Sequence, residues 1–413
     1  MELTHMTQAE PFTVNIPDED IADLHRRIDH TRFPADFANE DWRFGMNREY
    51  LESFLHSWRH EFDWRETEAR INAYNNYQVD FEGVPLHFIH ERGKGPNPIP
   101  LVLTHGWPWT FWDFEQVIKP LTDPAAYGGD PADAFDVVVP SLPGFGFSTP
   151  LRIDGLQTNK AVDLWARLMT DVLGYDRFAA GGGDFGAMLS SALGFRYPER
   201  VLGVYLTLPS LPPTATPDNL PEPGSARQLI GTLMGPAMRT NRDDFAPEER
   251  HRYDLMEERW TTALAHIAVH TTDPQTLSFA LHDSPAGLAS WLVERRRNWS
   301  DNEGDVEQSF SRQFLLDTVS IYWFTESFVT TSRWYWHTFR TPPQPLPDPE
   351  AARKVPLGLP VYPKEMVFVP RAAAEAAGNV VHWTEQPRGG HFAPAEVPSL
   401  FVDDIRDFYR ELR

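Results

Sequence analysis

The chain has 413 residues, enough for a core domain carrying insertions. Its formal net charge of −22 argues against nucleic acid and anionic membrane surfaces as partners, because both are bound through basic groups. It contains no cysteine, which excludes disulfides, thiolate nucleophiles and cysteine-ligated metal centres.

The first 76 residues read as a polar, mostly helical segment, with candidate helices at 21–32, 49–62 and 64–73. They are amphipathic but too few to enclose a core, so they are expected to pack on the domain that follows. The N-terminus lacks a stretch apolar enough for a signal peptide, and no window of about 18 apolar residues occurs anywhere. The expectation is a soluble, cytoplasmic protein. Residues 77–91 form two short runs split by Glu82-Gly83, the pattern of a hairpin.

Strand and helix patterns then alternate, which signals a parallel sheet with helices on both faces. Strand runs at 100–104, 135–139, 177–180 and 201–206 are separated by helical patterns at 112–121, 159–173 and 186–195. A proline-rich stretch at 209–223 breaks the alternation, and residues 225–340 read as entirely helical. After a second proline-rich joint at 342–349 the alternation resumes with strands at 357–362 and 380–383 and a last helix at 400–412. The expected architecture is a mostly parallel, eight-stranded α/β sheet with a helical lid inserted after the sixth strand. Its divisions are an N-terminal segment 1–76, a core 77–210 plus 341–413, and a lid 211–340.

The turn Gly182-Gly183-Asp184-Phe185-Gly186 joins a strand to a helix. Small residues flanking a central side chain suit a sharp bend that lifts that side chain above the sheet edge. A phosphate loop would need Lys-Ser/Thr, or G-x-G-x-x-G with an acidic residue about 20 residues on, and neither full pattern fits here. Asp184 is therefore the candidate nucleophile. A carboxylate is already ionised at neutral pH and can attack a strained sp³ carbon without a base. The resulting ester then needs a base to activate water.

His105-Gly106-Trp107-Pro108 follows the strand at 100–104, where α/β hydrolases place an oxyanion-hole amide. The expected donors are the backbone N–H groups of Trp107 and Phe185, aimed at the oxyanion formed when water attacks the ester. Gly389-Gly390-His391-Phe392 follows the last strand, so His391 is the candidate base. Glu365, on the loop after the preceding strand, is the candidate orienting acid. Glu326 is a weaker rival, and Glu385 lies too near His391 in sequence.

Together, the Asp elbow, H-G-W-P, G-G-H-F and the helical insertion resemble the microsomal-type epoxide hydrolases. Phe12-Thr-Val-Asn-Ile-Pro, Arg32-Phe-Pro, Trp64-Arg, Leu142-Pro-Gly-Phe-Gly-Phe-Ser148 and Asp283-Ser-Pro-Ala-Gly-Leu288 are similar to that family as well. The resemblance covers nearly the whole chain from about residue 10. It implies opening of an epoxide to a vicinal diol, with two lid tyrosines protonating the ring oxygen. Tyr335 matches one of them. The other should lie eight residues before Pro274, where this chain has His266 as a possible second donor.

Trp109, Trp323, Trp334 and Trp336 suggest an aromatic pocket for an apolar substrate. No cofactor or metal is implied, and a homo-oligomer is compatible with the sequence. Two other readings exist: a haloalkane dehalogenase-like hydrolase using the same Asp, and a non-catalytic binding protein on the same fold. Dehalogenases of this type place a Trp after the Asp, whereas this chain has Phe185, whose side chain carries no donor. A binding protein would be expected to lose members of the triad, and this chain keeps all three.

Overall fold

Strands covered on both faces are nearly continuous apolar runs, and the centre of the sheet has that composition. A computed structural model describes residues 8–156, 158–211, 240–341 and 348–413. Its strands are β1 (Glu10–Pro11), β2 (Asn76–Phe81), β3 (Val84–Glu91), β4 (Ile99–Thr104), β5 (Phe135–Pro140), β6 (Phe178–Gly182), β7 (Val201–Leu206), β8 (Pro356–Val361) and β9 (Asn379–Glu385). They form one sheet in the order β1-β2-β3-β5-β4-β6-β7-β8-β9. The β1–β2, β2–β3 and β3–β5 pairs are antiparallel and the others parallel. Among the described residues the expected eight strands are thus nine: two residues that include a proline carry no period, and only pairing with Tyr77 and Gln78 reveals β1.

Register places the site. Leu103 pairs with Gly181 and Thr104 with Gly182, so β4 and β6 end side by side at the carboxyl edge of the sheet. The loops that follow them, carrying Trp107 and Asp184, are therefore neighbours. Ligands in open α/β sheets bind at this edge.

Helices α1 (Asp18–Asp29), α2 (Arg48–His60) and α3 (Trp64–Asn72) precede the main sheet. α4 (Glu115–Thr122), α5 (Thr158–Arg167) and α6 (Phe185–Arg196) alternate with its strands. The helix expected at 112–121 is split. Thr110 and Asp113 form a capping box over a 3₁₀ turn, Phe111–Phe114, before α4 begins.

Between β7 and β8 lie α7 (Arg250–Ala263), α8 (Ala265–Thr272), α9 (Pro274–Asp283), α10 (Pro285–Trp299), α11 (Arg312–Phe324) and α12 (Phe328–Thr338). Proline at the first helical position begins α9 and α10, and the Ser284 and Ser311 side chains accept the Gly287 and Phe314 N–H groups. The first proline-rich stretch and the helical pattern up to residue 239 lie largely outside the described residues, as does 342–347. The chain ends with α13 (Pro349–Ala352), α14 (Arg371–Ala377), α15 (Ala393–Glu396) and α16 (Pro398–Arg410).

The N-terminal helices pack on the inserted helices as well as on the core. Trp58 Nε1 donates to Ser320 Oγ at 2.9 Å in the interior. Asp317 of α11 accepts from Thr67 of α3 at 2.6 Å and from Trp112 of the core at 3.2 Å, and pairs with Arg70.

A buried ion pair fastens the insertion to the core. Arg296 of α10 reaches Asp113 at 2.5 and 2.9 Å and the Pro108 carbonyl at 3.2 Å, with both side chains at most 1% exposed. Removing one member strands the other charge in a low dielectric. Arg296→Ala is expected to cost ~3–5 kcal/mol. Denaturant titration would read this, and an unchanged midpoint would contradict it.

Candidate active site

Asp184 sits at the bend between β6 and α6 with φ +53° and ψ −126°, a sparsely populated conformation for a non-glycine residue that costs ~1–3 kcal/mol. The surrounding residues must be small for the turn to close. A Cβ on Gly186 would lie 1.8 Å from the Thr104 carbonyl oxygen, and one on Gly106 would lie 2.3 Å from Asp184 Cβ and Oδ1. The carboxylate remains 21% exposed, while its partners are almost fully covered.

One carboxylate oxygen, Oδ1, accepts the Trp107 backbone N–H at 2.9 Å. The other, Oδ2, lies 3.5 Å from His391 Nε2. His391 Nδ1 is 2.8 Å from Glu365 Oε1, which also accepts the Met366 N–H at 2.5 Å. The structure therefore brings Asp184, His391 and Glu365 into one line with the Trp107 amide on the far side. Glu365 is 2% exposed and His391 is equally buried. Phe185 opens α6, where a first-turn N–H has no partner within the helix.

The loop that carries Trp107 is fixed by a neutral histidine. Burial lowers His105 to about 4, its Nδ1 donates to the Gly106 carbonyl at 2.9 Å, and its Nε2 accepts the Leu142 N–H at 3.0 Å. This joins the H-G-W-P loop to the Leu142–Ser148 motif.

Burial opposes a charge on His391, but the carboxylates of Glu365 and Asp184 outweigh it and raise the imidazole to about 10. Its folded value thus lies above the ordinary value of 6.5. The stabilisation is complete below about pH 6.5 and is lost as pH rises through about 10. The melting temperature of the wild type is expected to fall across that window more steeply than that of His391→Gln; parallel curves would contradict this. Asp184→Asn removes one of the two raising charges, so NMR titration should find the His391 imidazole lower in that variant.

Tyr335 of α12 is buried, with its ring centroid 4.7 Å from Phe185 and 5.8 Å from Trp107. Burial and then the Asp184 charge push its hydroxyl well above 10, so it is a neutral O–H donor at working pH. His266 of α8 stacks on Trp107 at 5.1 Å and lies 5.5 Å from the Tyr335 ring.

Burial above all, with the nearby Arg295 charge adding to it, keeps His266 neutral. Its Nδ1 is 3.0 Å from the Ala263 carbonyl, so the single proton sits there and Nε2 carries a lone pair. His266 reaches the site, but as an acceptor rather than the expected second donor.

The tryptophans divide. Trp109 lies edge-on to His391 at 5.7 Å and Trp334 packs on Phe185 at 6.1 Å. Trp323 instead lies under Arg27, in a surface depression of about 130 Å³ facing α1, and Trp336 is 37% exposed beneath Arg340. The latter two are not brought to the triad. Trp299 and His270 are, and the sequence offered no signal for them. Trp299 is 5.4 Å from His391, and His270 is 4.6 Å from Trp107. Neither residue falls within a motif.

Residues 9–114 match the family model described as epoxide hydrolase N terminus, and residues 99–275 match the alpha/beta hydrolase fold. Epoxide hydrolase 1 of Oryctolagus cuniculus is 33% identical over 409 residues, covering 96% of this chain and 88% of the relative. The chain belongs to the microsomal-type epoxide hydrolase family. Among solved structures, the Aspergillus niger epoxide hydrolase superposes with a TM-score of 0.79 at 28% identity, over 98% of this chain and 96% of the other. The juvenile hormone epoxide hydrolase of Bombyx mori gives 0.81 at 24%, over 98% and 95%, a likeness of fold. Among the described residues of this family member, no helix is long and apolar enough to cross a membrane.

Proposed function

We propose that the chain hydrolyses epoxides to vicinal diols through a covalent ester on Asp184. The observation that carries this reading is the line Trp107 N–H, Asp184, His391, Glu365, with Tyr335 over Phe185. Asp184 attacks an epoxide carbon and the carbon–oxygen bond of the ring breaks. Tyr335 gives its proton to the departing oxygen.

Esterification removes the Asp184 charge and with it part of what holds the proton on His391. That proton then restores Tyr335, leaving a neutral imidazole. His391, oriented by Glu365, takes a proton from water as the hydroxide adds to the Asp184 ester. The oxyanion rests on the amides of Trp107 and Phe185. Collapse releases the diol and returns the Asp184 carboxylate and the His391 imidazolium, so protons balance over the cycle. An indole after Asp184 would suit a departing halide, and Phe185 has none.

Trp109 and Trp334, together with Trp299, favour apolar or aromatic epoxides, and the helices α7–α12 serve as the lid. A panel of styrene-oxide-like, aliphatic and polycyclic epoxides, scored for diol and its chirality, tests the reading. Diol from the aromatic members supports it, and no diol from any member contradicts it. Tyr335→Phe is expected to slow the alkylation step by about 10²–10⁴-fold. His266→Gln should slow it far less, because His266 holds no proton toward the site. Stopped-flow alkylation rates compare the two, and equal losses would contradict the assignment.

A further inference from the structure

We propose that the inserted helical segment is the scaffold on which the catalytic base is set, with Asp301 and Glu396 as positioning residues for His391. This rests on the covalent mechanism above and adds to it the means by which the base is held.

The backbone of the base loop is hydrogen-bonded outward, and two of its bonds end on the insertion. Gly389 N–H donates to Asp301 Oδ2 at 3.0 Å, and His391 N–H to the Trp299 carbonyl at 2.9 Å. Phe392 N–H donates to Glu396 Oε1 at 2.7 Å. The other Glu396 oxygen accepts the Asp301 N–H at 2.8 Å, so this one carboxylate ties the base loop to residues 299–301. Gly390 fits against the same strip: a Cβ there would lie 2.8 Å from the Trp299 carbonyl oxygen and 3.0 Å from Ser300 Cα. Beneath Phe392, the Arg296 guanidinium sits 4.1 Å from the ring centroid.

On its other side the base loop holds to the acid loop, where Lys364 N–H donates to the Gly389 carbonyl at 3.0 Å. The acid loop is itself pinned by α7. Trp260 Nε1 donates to the Met366 carbonyl at 3.1 Å, and Arg259 donates to the Lys364 carbonyl. Both triad loops therefore take their position from the insertion, while Asp184 takes its own from β6 and α6. A shift at residues 299–301 moves the base relative to the nucleophile.

The two half-reactions separate this role from a purely structural one. Alkylation needs Asp184 and Tyr335; ester hydrolysis needs His391 in place. A misplacement of about 1 Å can cost about 100-fold. Asp301→Ala is expected to slow ester hydrolysis by about 10- to 100-fold with the alkylation rate and melting temperature close to wild type. Asp301→Asn keeps an acceptor for the Gly389 N–H and should restore hydrolysis. Glu396→Gln places an NH₂ where one of two N–H donors points, and should reproduce the Asp301→Ala defect; it decides the matter if Asp301→Ala does not fold.

Rapid-mixing measurement of adduct formation and decay reads both steps. Equal slowing of both, or of neither, overturns the proposal. If His391→Gln shows no adduct, the covalent reading fails instead. The positioning claim is then read from the His391 Nδ1–H proton resonance. It should shift or exchange faster in Asp301→Ala and Glu396→Gln and hold in Asp301→Asn. An unmoved resonance in all three overturns it.

Discussion

Replacing His391 with Gln is expected to stop turnover after a single chemical event, leaving the substrate attached to Asp184. The nucleophilic carboxylate is held by the Trp107 N–H at 2.9 Å independently of the imidazole. Attack on the epoxide therefore proceeds. Water then meets the ester without a base, and loss of such a group costs about 10²–10⁴-fold. Intact-mass measurement should find the chain heavier by one substrate molecule. Steady turnover with no adduct would place the base elsewhere.

Asp184→Ala should abolish both steps, lowering kcat/KM by about 10⁴-fold or more, as the loss of other enzymic nucleophiles does. The substitution also removes one of the two carboxylates that raise His391, so the remaining imidazole should titrate lower. Alanine is small enough for the bend whose neighbours leave so little room around Gly106 and Gly186. Circular dichroism should be unchanged, and no adduct should form. Residual activity with the same diol chirality would mean that water attacks the epoxide directly.

The candidate triad was legible because each member stands on a loop after a strand and two are marked by glycines. Such loops converge on one edge once the sheet is parallel. The register of Thr104 against Gly182 then made the Trp107 amide and Asp184 neighbours. Other features depend on contacts between distant segments. β1 exists only by pairing with β2.

Spacing pointed to His266, which packs on Trp107, but its tautomer is set by the Ala263 carbonyl, which no motif encodes. Trp336 shares α12 with Trp334 and Trp323 lies in the preceding α11, yet helical rotation turns them toward Arg340 and Arg27 and away from the nucleophile. The anchors of the base loop, Trp299 at the end of α10, Asp301 just after it and Glu396 at the end of α15, carry no motif, and their importance is visible only in three dimensions.

The covalent bond to Asp184 is tested most directly by one turnover in heavy-oxygen water with enzyme in excess. The oxygen added to the substrate should come from the Asp184 carboxylate, so the first diol should be unlabelled and the label should appear in Asp184. Labelled diol from that first turnover, with Asp184 unlabelled, would contradict the ester intermediate.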